Sequence, residues 1–594
     1  IAEGNPRIAY MAGKLAIKNQ NLASIQNASD IYDQYYRKYV DYSFGGDEEL
    51  CITAGILSII NCVLLTDLSP LEELLNMYDM STEMFEKKVR QLYSLEFVEI
   101  QLEQLATLSD QCLSNYLLYY IFFKKRTMRL STVLEIGYKN FRSGVINTLH
   151  TILNLFESPE TREFCGDEIR KVWKKLQNDS DSNYYQFVQD FHVFNPEEAF
   201  LLAKYKIENI EKEEFNVIDI HYTDKIYCRE ESVLKLLVGY RYSEFLDYVM
   251  ELLLAYANRG KNYLISGIEW LKNEYGLQHN DYKYGYYTQV KISEYLLEQV
   301  RKEDNTAEFI ALQWAKYSLD FIFHYSEEGR GDEFKFYTIE LIDSERLEEY
   351  RKKCWKILIH LAEKTKWRAR ILSFIKLYSV NIYKNVDDDI ISTDYIYIDQ
   401  LFTLLNSKQI RFCQVVERII FKVKNIGIQS SLVKKWDRIY TGSEWELYQI
   451  LNKDFIVSGL DYEEHIKERD RKIIEYGNRV NITEVSKLIQ TMSNILSEPL
   501  ESTELFHLSR GLEQMILQFN EPILKQFFKD FMIYGSNISI NPSIVLDKLN
   551  NKDDYIEILK TIKSIDFPQK NEWLYSYFET LSPSKVDNKM LKEF

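Results

Sequence analysis

Proline is scarce in this chain of 594 residues, with nine in all and none between Pro196 and Pro499. An interior proline costs a helix about 3 kcal/mol, so such a stretch suits continuous helix packing. The seven cysteines are scattered and form no CxxC pair, which reads as reduced core thiols in a cytoplasmic protein. The eight histidines are widely separated, with no HExxH and no zinc-spaced partner, so no metal site is assigned. The run Asp387-Asp388-Asp389 lacks the spaced ligands and distal Glu of a calcium loop and reads as a solvated loop. No GxSxG, SxxK or flanked Cys–His signature occurs, and no catalytic residue is assigned. No apolar run approaches the roughly 18 residues of a spanning helix. Ala54–Leu65 and Leu117–Phe123 read as buried helices, and no membrane partner is expected. A net charge of −17 opposes binding to nucleic acid or anionic lipid through this region.

What is present is an ordinary globular balance, 46% hydrophobic and 27% charged, with 44 Tyr and 32 Phe for cores and grooves. Asn5-Pro6 marks a helix start, and Ile8, Met11, Ala12, Leu15 and Ala16 share one face of that helix. The chain enters this helix signal directly from Ile1, which reads as a piece of something longer. A second helix is expected over Ile31–Tyr39. Asp47 opens an apolar helix over Leu50–Leu65, Ser69-Pro70 starts a short one, and Ser81 caps a third carrying Phe85, Val89 and Leu92. Phe97–Leu102 and Leu105–Leu108 read as paired strands, and Ser109 as the cap of an apolar helix running to about Lys125. Three helices followed by a two-stranded wing is the winged-helix pattern.

Beyond Arg126 helix follows helix. Val145, Leu149, Ile152, Leu153 and Phe156 form one stripe, Phe245, Leu246, Val249, Leu252, Leu253 and Tyr256 another, and Leu312, Ala315, Leu319, Ile322 and Phe323 a third. Stacked antiparallel helix pairs bury such faces in sequence, although no fixed period names a repeat type. Phe215–Ile220 and Asp394–Ile398 are expected to be extended, and Asn178–Asn183, Glu327–Asp332 and Asn385–Asp389 to be loops. The expected fold is therefore mainly α: lid helices over residues 1–42, a winged helix over 43–126, and an α-solenoid of TPR-like helical repeats over 127–594, with a break near 385–400.

Two segments resemble parts of STAND-class NTPases, the family that includes NACHT and NB-ARC proteins. Gly4-Asn5-Pro6-Arg7 resembles the sensor helix of the ATPase lid, written GxP or GN-x-R in that family and its relatives. The resemblance implies that Pro6 packs on a nucleotide base and Arg7 reaches the terminal phosphate. Leu108-Ser109-Asp110 falls where the family's MHD motif opens the last helix of the winged helix. Ser109 stands where the family has the His that contacts the diphosphate, and a hydroxyl there can still donate to phosphate. The motifs cover about the first fifth of the chain; the remainder is similar by architecture alone. No GxxxxGK[ST] loop occurs, so no cofactor is expected on this region by itself, and ATP with Mg would belong to a longer parent.

The order of lid helix, winged helix and long helical array is similar to the antiviral STAND (Avs) proteins of bacteria. That resemblance implies a ligand-sensing C-terminal region that binds a phage protein, the terminase large subunit or the portal. Binding would drive tetramerisation of the parent and switch on an N-terminal effector such as a nuclease. A STAND-type transcriptional regulator and a constitutive helical scaffold remain the alternatives.

Two patches are candidate partner surfaces. Arg351, Lys352, Lys353, Lys356, Lys364, Lys366, Arg368 and Arg370 interleave with Trp355 and Trp367. That mixture fits the solvated faces of two helices, an acidic protein partner, or phosphates and stacked bases. Tyr282-Lys283-Tyr284-Gly285-Tyr286-Tyr287 is the second, with Tyr284 and Tyr286 offering broad area and a polar tip.

Overall fold

The computed structural model describes residues 6–19, 28–156, 158–220, 231–328, 334–341, 343–381, 388–406, 408–427, 431–439, 442–550, 555–586 and 588–593. The chain is mainly α-helical. It forms two compact units, one of Ile1–Glu211 with Arg229–Tyr240, the other of Lys212–Cys228 with Arg241–Phe594. The boundary between them thus falls well beyond Arg126, and the first unit includes helices that come after the expected lid and wing segments.

In the first unit, α1 (Pro6–Asn19) and α2 (Ala28–Phe44) precede α3 (Glu48–Ile60). Asp47 caps α3 by accepting from the Leu50 amide at 2.9 Å. The helix stops at Asn61, whose φ of 66° no helix interior adopts. The expected continuation to Leu65 is corrected here, because Cys62–Leu64 is strand β1. After α4 (Glu72–Asn76), Ser81 caps α5 (Thr82–Ser94) by accepting from the Met84 amide. Strands β2 (Val98–Gln101) and β3 (Leu105–Leu108) pair antiparallel, and β1 adds to the other edge of β3, placing Val63 opposite Ala106. Phe85, Val89, Leu92, Phe97 and Ala106 are fully buried beside the α3 side chains Leu50, Ala54 and Leu57. The β2–β3 turn uses Leu102 (φ 50°) and Glu103 (φ 60°), closed by the Gln104 amide on the Gln101 carbonyl at 3.0 Å. This is the primed turn whose twist matches a hairpin, built here without the customary glycine.

The helix Tyr138–Leu155 crosses the C-terminal end of α3 at Gly144, where an added Cβ would collide with the Ile59 carbonyl oxygen. Only glycine permits that backbone approach.

In the second unit helices pack on their sequence neighbours and on the helix two further along. Tyr287–Val300 lies against both Asn305–Ser318 and Glu345–Glu363, Glu345–Glu363 against Asp388–Leu404, and Thr365–Asn381 against Ile410–Ile426. Tyr462–Arg479 packs on Ser502–Ile516, and Val485–Leu496 on Glu521–Tyr534.

Three expectations are corrected here. Ile322 and Phe323 belong to a hairpin, β4 (Ile322–Glu328) with β5 (Phe334–Glu340), and not to the preceding helix, which ends at Ser318. Asp394–Ile398 is helical within Asp388–Leu404, because Ile391, Tyr395 and Ile398 bury one face at helical spacing. Val217–Asp219 is a single 3-10 turn, with Asn216 accepting from the Ile218 amide. Residues 1–5 and 382–387, which include Gly4, Asn5, Asn385 and Asp387, lie outside the described residues. Among the described residues no helix is long and apolar enough to cross a membrane.

Candidate functional site

Asp110 is where the two resembling segments meet. It is the N-cap of α6 (Gln111–Tyr119), its Oδ1 accepting from the Cys112 amide at 2.8 Å. Its Oδ2 accepts from the Tyr36 hydroxyl at 3.0 Å and forms an ion pair with the Arg7 guanidinium. The Asp110 charge raises the pKa of Arg7. The expected cap is corrected by one residue: Asp110 takes the role assigned to Ser109, because its carboxylate reaches the first-turn amide. Ser109 instead donates its hydroxyl to the carbonyls of Glu96 (2.9 Å) and Phe97 (3.1 Å). In this conformation that proton is committed to the two carbonyls just before β2, so a phosphate contact by Ser109 requires those bonds to break. Pro6 opens α1, and Arg7 is exposed.

Further tyrosine–carboxylate pairs fasten α2 to the helical segment that begins with α6. Tyr116 donates to Asp33 at 3.1 Å and Tyr120 to Asp41 at 2.6 Å. The Tyr36 and Tyr116 rings stack at 5.7 Å. Burial, followed by the facing carboxylates, pushes the Tyr36 and Tyr116 phenols well above their ordinary pKa. For Tyr120, burial and then its hydrogen bond to Asp41 act in the same direction. The junction is therefore a polar clasp between α1, α2 and α6.

The basic–aromatic patch is divided by the fold. Arg351, Trp355 and Trp367 are 2%, 0% and 1% exposed, which corrects the expectation that they face a partner. Arg351 forms an ion pair with Asp394 and donates to the Leu319 and Asp320 carbonyls, while the Trp355 indole donates to Asp394 at 2.7 Å. Glu308, wholly buried, accepts from Lys364 and the Trp367 indole and pairs with Lys366 at 2.7 Å. Lys353 pairs with Glu294. Arg370 donates to the Ile218 and Ile220 carbonyls. Lys352 and Lys356 remain exposed. The physical reason is helical phase: residues 351, 354, 355 and 358 turn inward while 352 and 356 turn out.

The tyrosine stretch divides likewise. Tyr284 is 58% exposed with its ring 4.4 Å from that of Tyr242, and Tyr282 is exposed beside it in sequence. Tyr286 is corrected to a core residue, 7% exposed and stacked on Tyr350. Beneath them Asp281, wholly buried, accepts from Arg241, the Tyr242 hydroxyl, the Gln278 amide and Gln289. Sequence reasoning missed this hub, since nothing local to Asp281 announces donors as remote as Arg241 and Tyr242. No group of three or more potential metal ligands occurs among the described residues.

No protein-family model matches the chain. No curated protein matches it either. Among solved structures it is similar to one described as a "Circular tandem repeat protein with novel repeat topology and enhanced subunit contact surfaces", at 10% identity over 92% of this chain and 96% of that one. The TM-score is 0.13, too low to carry an argument about fold.

Proposed function

We propose that this chain is the ligand-sensing region of an antiviral STAND NTPase, with α1 and α2 as lid helices, α3 to β3 as a winged helix, and the later helices as a solenoid. The observation that carries the reading is the sheet order β1-β3-β2 under α3 and α5, succeeded at once by α6 with Asp110 clasped to Arg7. Contact between Arg7 and Asp110 supports reading α1 as the sensor helix and Asp110 as the counterpart of the last MHD position. The helices stacked two elements apart support the solenoid.

On this reading the array binds a folded phage protein, the terminase large subunit or the portal, and the exposed Lys352, Lys356 and Tyr284 belong to the contact surface. Binding shifts the parent from a closed to an open, self-associating tetramer with ATP and Mg in its NTPase. To move a population from mostly closed to mostly open, the ligand must prefer the open state by about 5 kcal/mol. Release of the Arg7–Asp110 clasp is one natural point for that change. The DNA-binding alternative is weakened by α5, where Lys88 is buried between Asp47 (2.6 Å) and Glu49 (3.1 Å) and Arg90 pairs with Glu86.

The test is co-purification of the chain with a panel of phage packaging and structural proteins. Stable capture of terminase or portal, weakened at least tenfold by Tyr284→Ala with Lys352→Glu, is the expected result. A folded chain that captures neither overturns the assignment of the ligand. A parent that still responds to ligand after its array is excised overturns the sensor itself.

A further inference from the structure

Within the second unit, a cleft of about 520 Å³ opens beside the first half of the helix Tyr462–Arg479. His465, Lys467, Glu468, Arg471 and Lys472 recur at three- and four-residue spacing along one side of that helix. The rest of the lining comes from Gln449 and Lys453 at the end of the helix Ser443–Asn452, and from Ser458 and Leu460 on either side of Gly459, whose φ of 69° turns the chain there. Five cationic side chains line the cleft against two carboxylates, Glu464 and Glu468. Glu468 is already engaged by Arg471 and Lys472. Lys453 and Lys467 form no ion pair among the described residues.

His465 supplies the second observation. It is 7% exposed yet lines the cleft. Its ring packs edge-on against Phe455 at 5.5 Å, and its nitrogens have no hydrogen-bond partner among the described residues. Because the ring lines the cleft, a bound group can reach those nitrogens. From this gathering of cations around an imidazole that lines the cleft, with Lys453 and Lys467 in no ion pair among the described residues, we infer that the cleft is a binding site for a small phosphate-bearing anion.

The chemistry favours phosphate. Lys453 and Lys467 present ammonium donors, while Arg469, held by Asp470, and Arg471, held by Glu468 and Glu475, add positive charge to the cleft wall. The imidazole adds a donor from the cleft wall. Burial, then the charges of Arg469 and Lys453, lower the pKa of His465 and keep the ring neutral, while Asp454 opposes them weakly. A neutral ring donates one hydrogen bond to the anion without a further charge. The dimensions favour a compact ligand over a nucleic acid strand. A strand needs cations along an extended track, whereas these are gathered in one concave site on a chain of net charge −17.

This inference stands apart from the proposed sensor function. The experiment is calorimetric titration of the chain with inorganic pyrophosphate, alongside sodium chloride at matched ionic strength. Imidazole signals from side-chain-labelled histidine are monitored by NMR. The expected result is saturable one-to-one binding that shifts the His465 resonance and is lost at least tenfold in Lys453→Gln/Lys467→Glu. Both lysines lack ion-pair partners, so that variant should keep its circular dichroism and melting temperature. His465→Gln, which retains a donor, should bind within a few-fold of wild type, and His465→Leu should not. Equal affinity in the lysine double variant, an unmoved His465 signal, or matching heat with chloride overturns the site. Tighter binding of a 20-nucleotide single strand than of pyrophosphate would assign the cleft to nucleic acid instead.

Discussion

Arg351 and Asp394 form an ion pair at 2.5 Å with side chains 2% and 1% exposed. Asp394 also accepts from Trp355 and from Tyr378 at 2.8 Å, so four donor atoms converge on one carboxylate. Removing one member leaves an uncompensated buried charge. Asp394→Ala should destabilise the second unit by about 3–5 kcal/mol in urea unfolding. Arg351→Met with Asp394→Leu should lose clearly less than Asp394→Ala, since no buried charge remains. If the single and double variants unfold at the same urea concentration, the charge is not what matters.

Glu308 provides the pH dependence. Burial alone would raise its pKa, but hydrogen bonds from Lys364, Lys366 and Trp367 overcome it, and the net shift is downward. A carboxyl whose folded pKa lies below its unfolded value stabilises the fold above the usual Glu value of about 4.3. That contribution is lost as pH falls through the folded value. The stability gap between wild type and Glu308→Gln should therefore be widest near neutrality and close on acidification below about pH 4. A gap independent of pH would mean that Glu308 acts through packing alone.

The β2–β3 turn holds Leu102 and Glu103 in the left-handed region, with Leu102 91% exposed. Each carries a steric cost of about 1 kcal/mol there that asparagine or glycine avoids. Leu102→Asn with Glu103→Gly should raise the stability of the first unit, by about 1 kcal/mol or more in urea unfolding. The ion pair of Glu103 with Arg90, at 3.6 Å between exposed side chains, is too weak to offset that gain.

At Gly144 the direction reverses. Gly144→Ala improves helix propensity, yet its methyl collides with the Ile59 carbonyl and forces Tyr138–Leu155 away from α3. The clash should outweigh the propensity gain and cost about 1–3 kcal/mol in the same unfolding measurement. Gly13, whose added Cβ would meet nothing, is the control; Gly13→Ala should be neutral or slightly stabilising.

Much of the first unit was legible because its signals are local. Ser81 caps α5 through a bond three residues away, and β2 and β3 are joined by one short turn. Strand β1 was hidden because Cys62–Leu64 is apolar and comes directly after an apolar helix, so periodicity alone could not separate them. The β4–β5 hairpin escaped for the same reason, its first residues reading as the tail of the preceding stripe. The candidate contact residues were half legible: composition located the basic and tyrosine-rich segments, but only helical phase decided that Lys352 faces out and Trp355 in. Long-range convergence, as on Asp281 from Arg241, leaves no mark within any sequence window.

The tyrosines that fasten α2 to the α6 segment have an optical consequence. Tyr36, Tyr116 and Tyr120 are buried and each donates its proton to a carboxylate, so their phenolate forms are strongly disfavoured in the folded state. A raised folded pKa means that this contribution is full below the ordinary tyrosine value of about 10 and is lost as pH rises beyond it. The three clasped rings should stay silent in the ultraviolet phenolate band until the clasp opens, then ionise together. Replacing them with phenylalanine should remove that late step, leaving a built-in absorbance gauge of when α2 lets go.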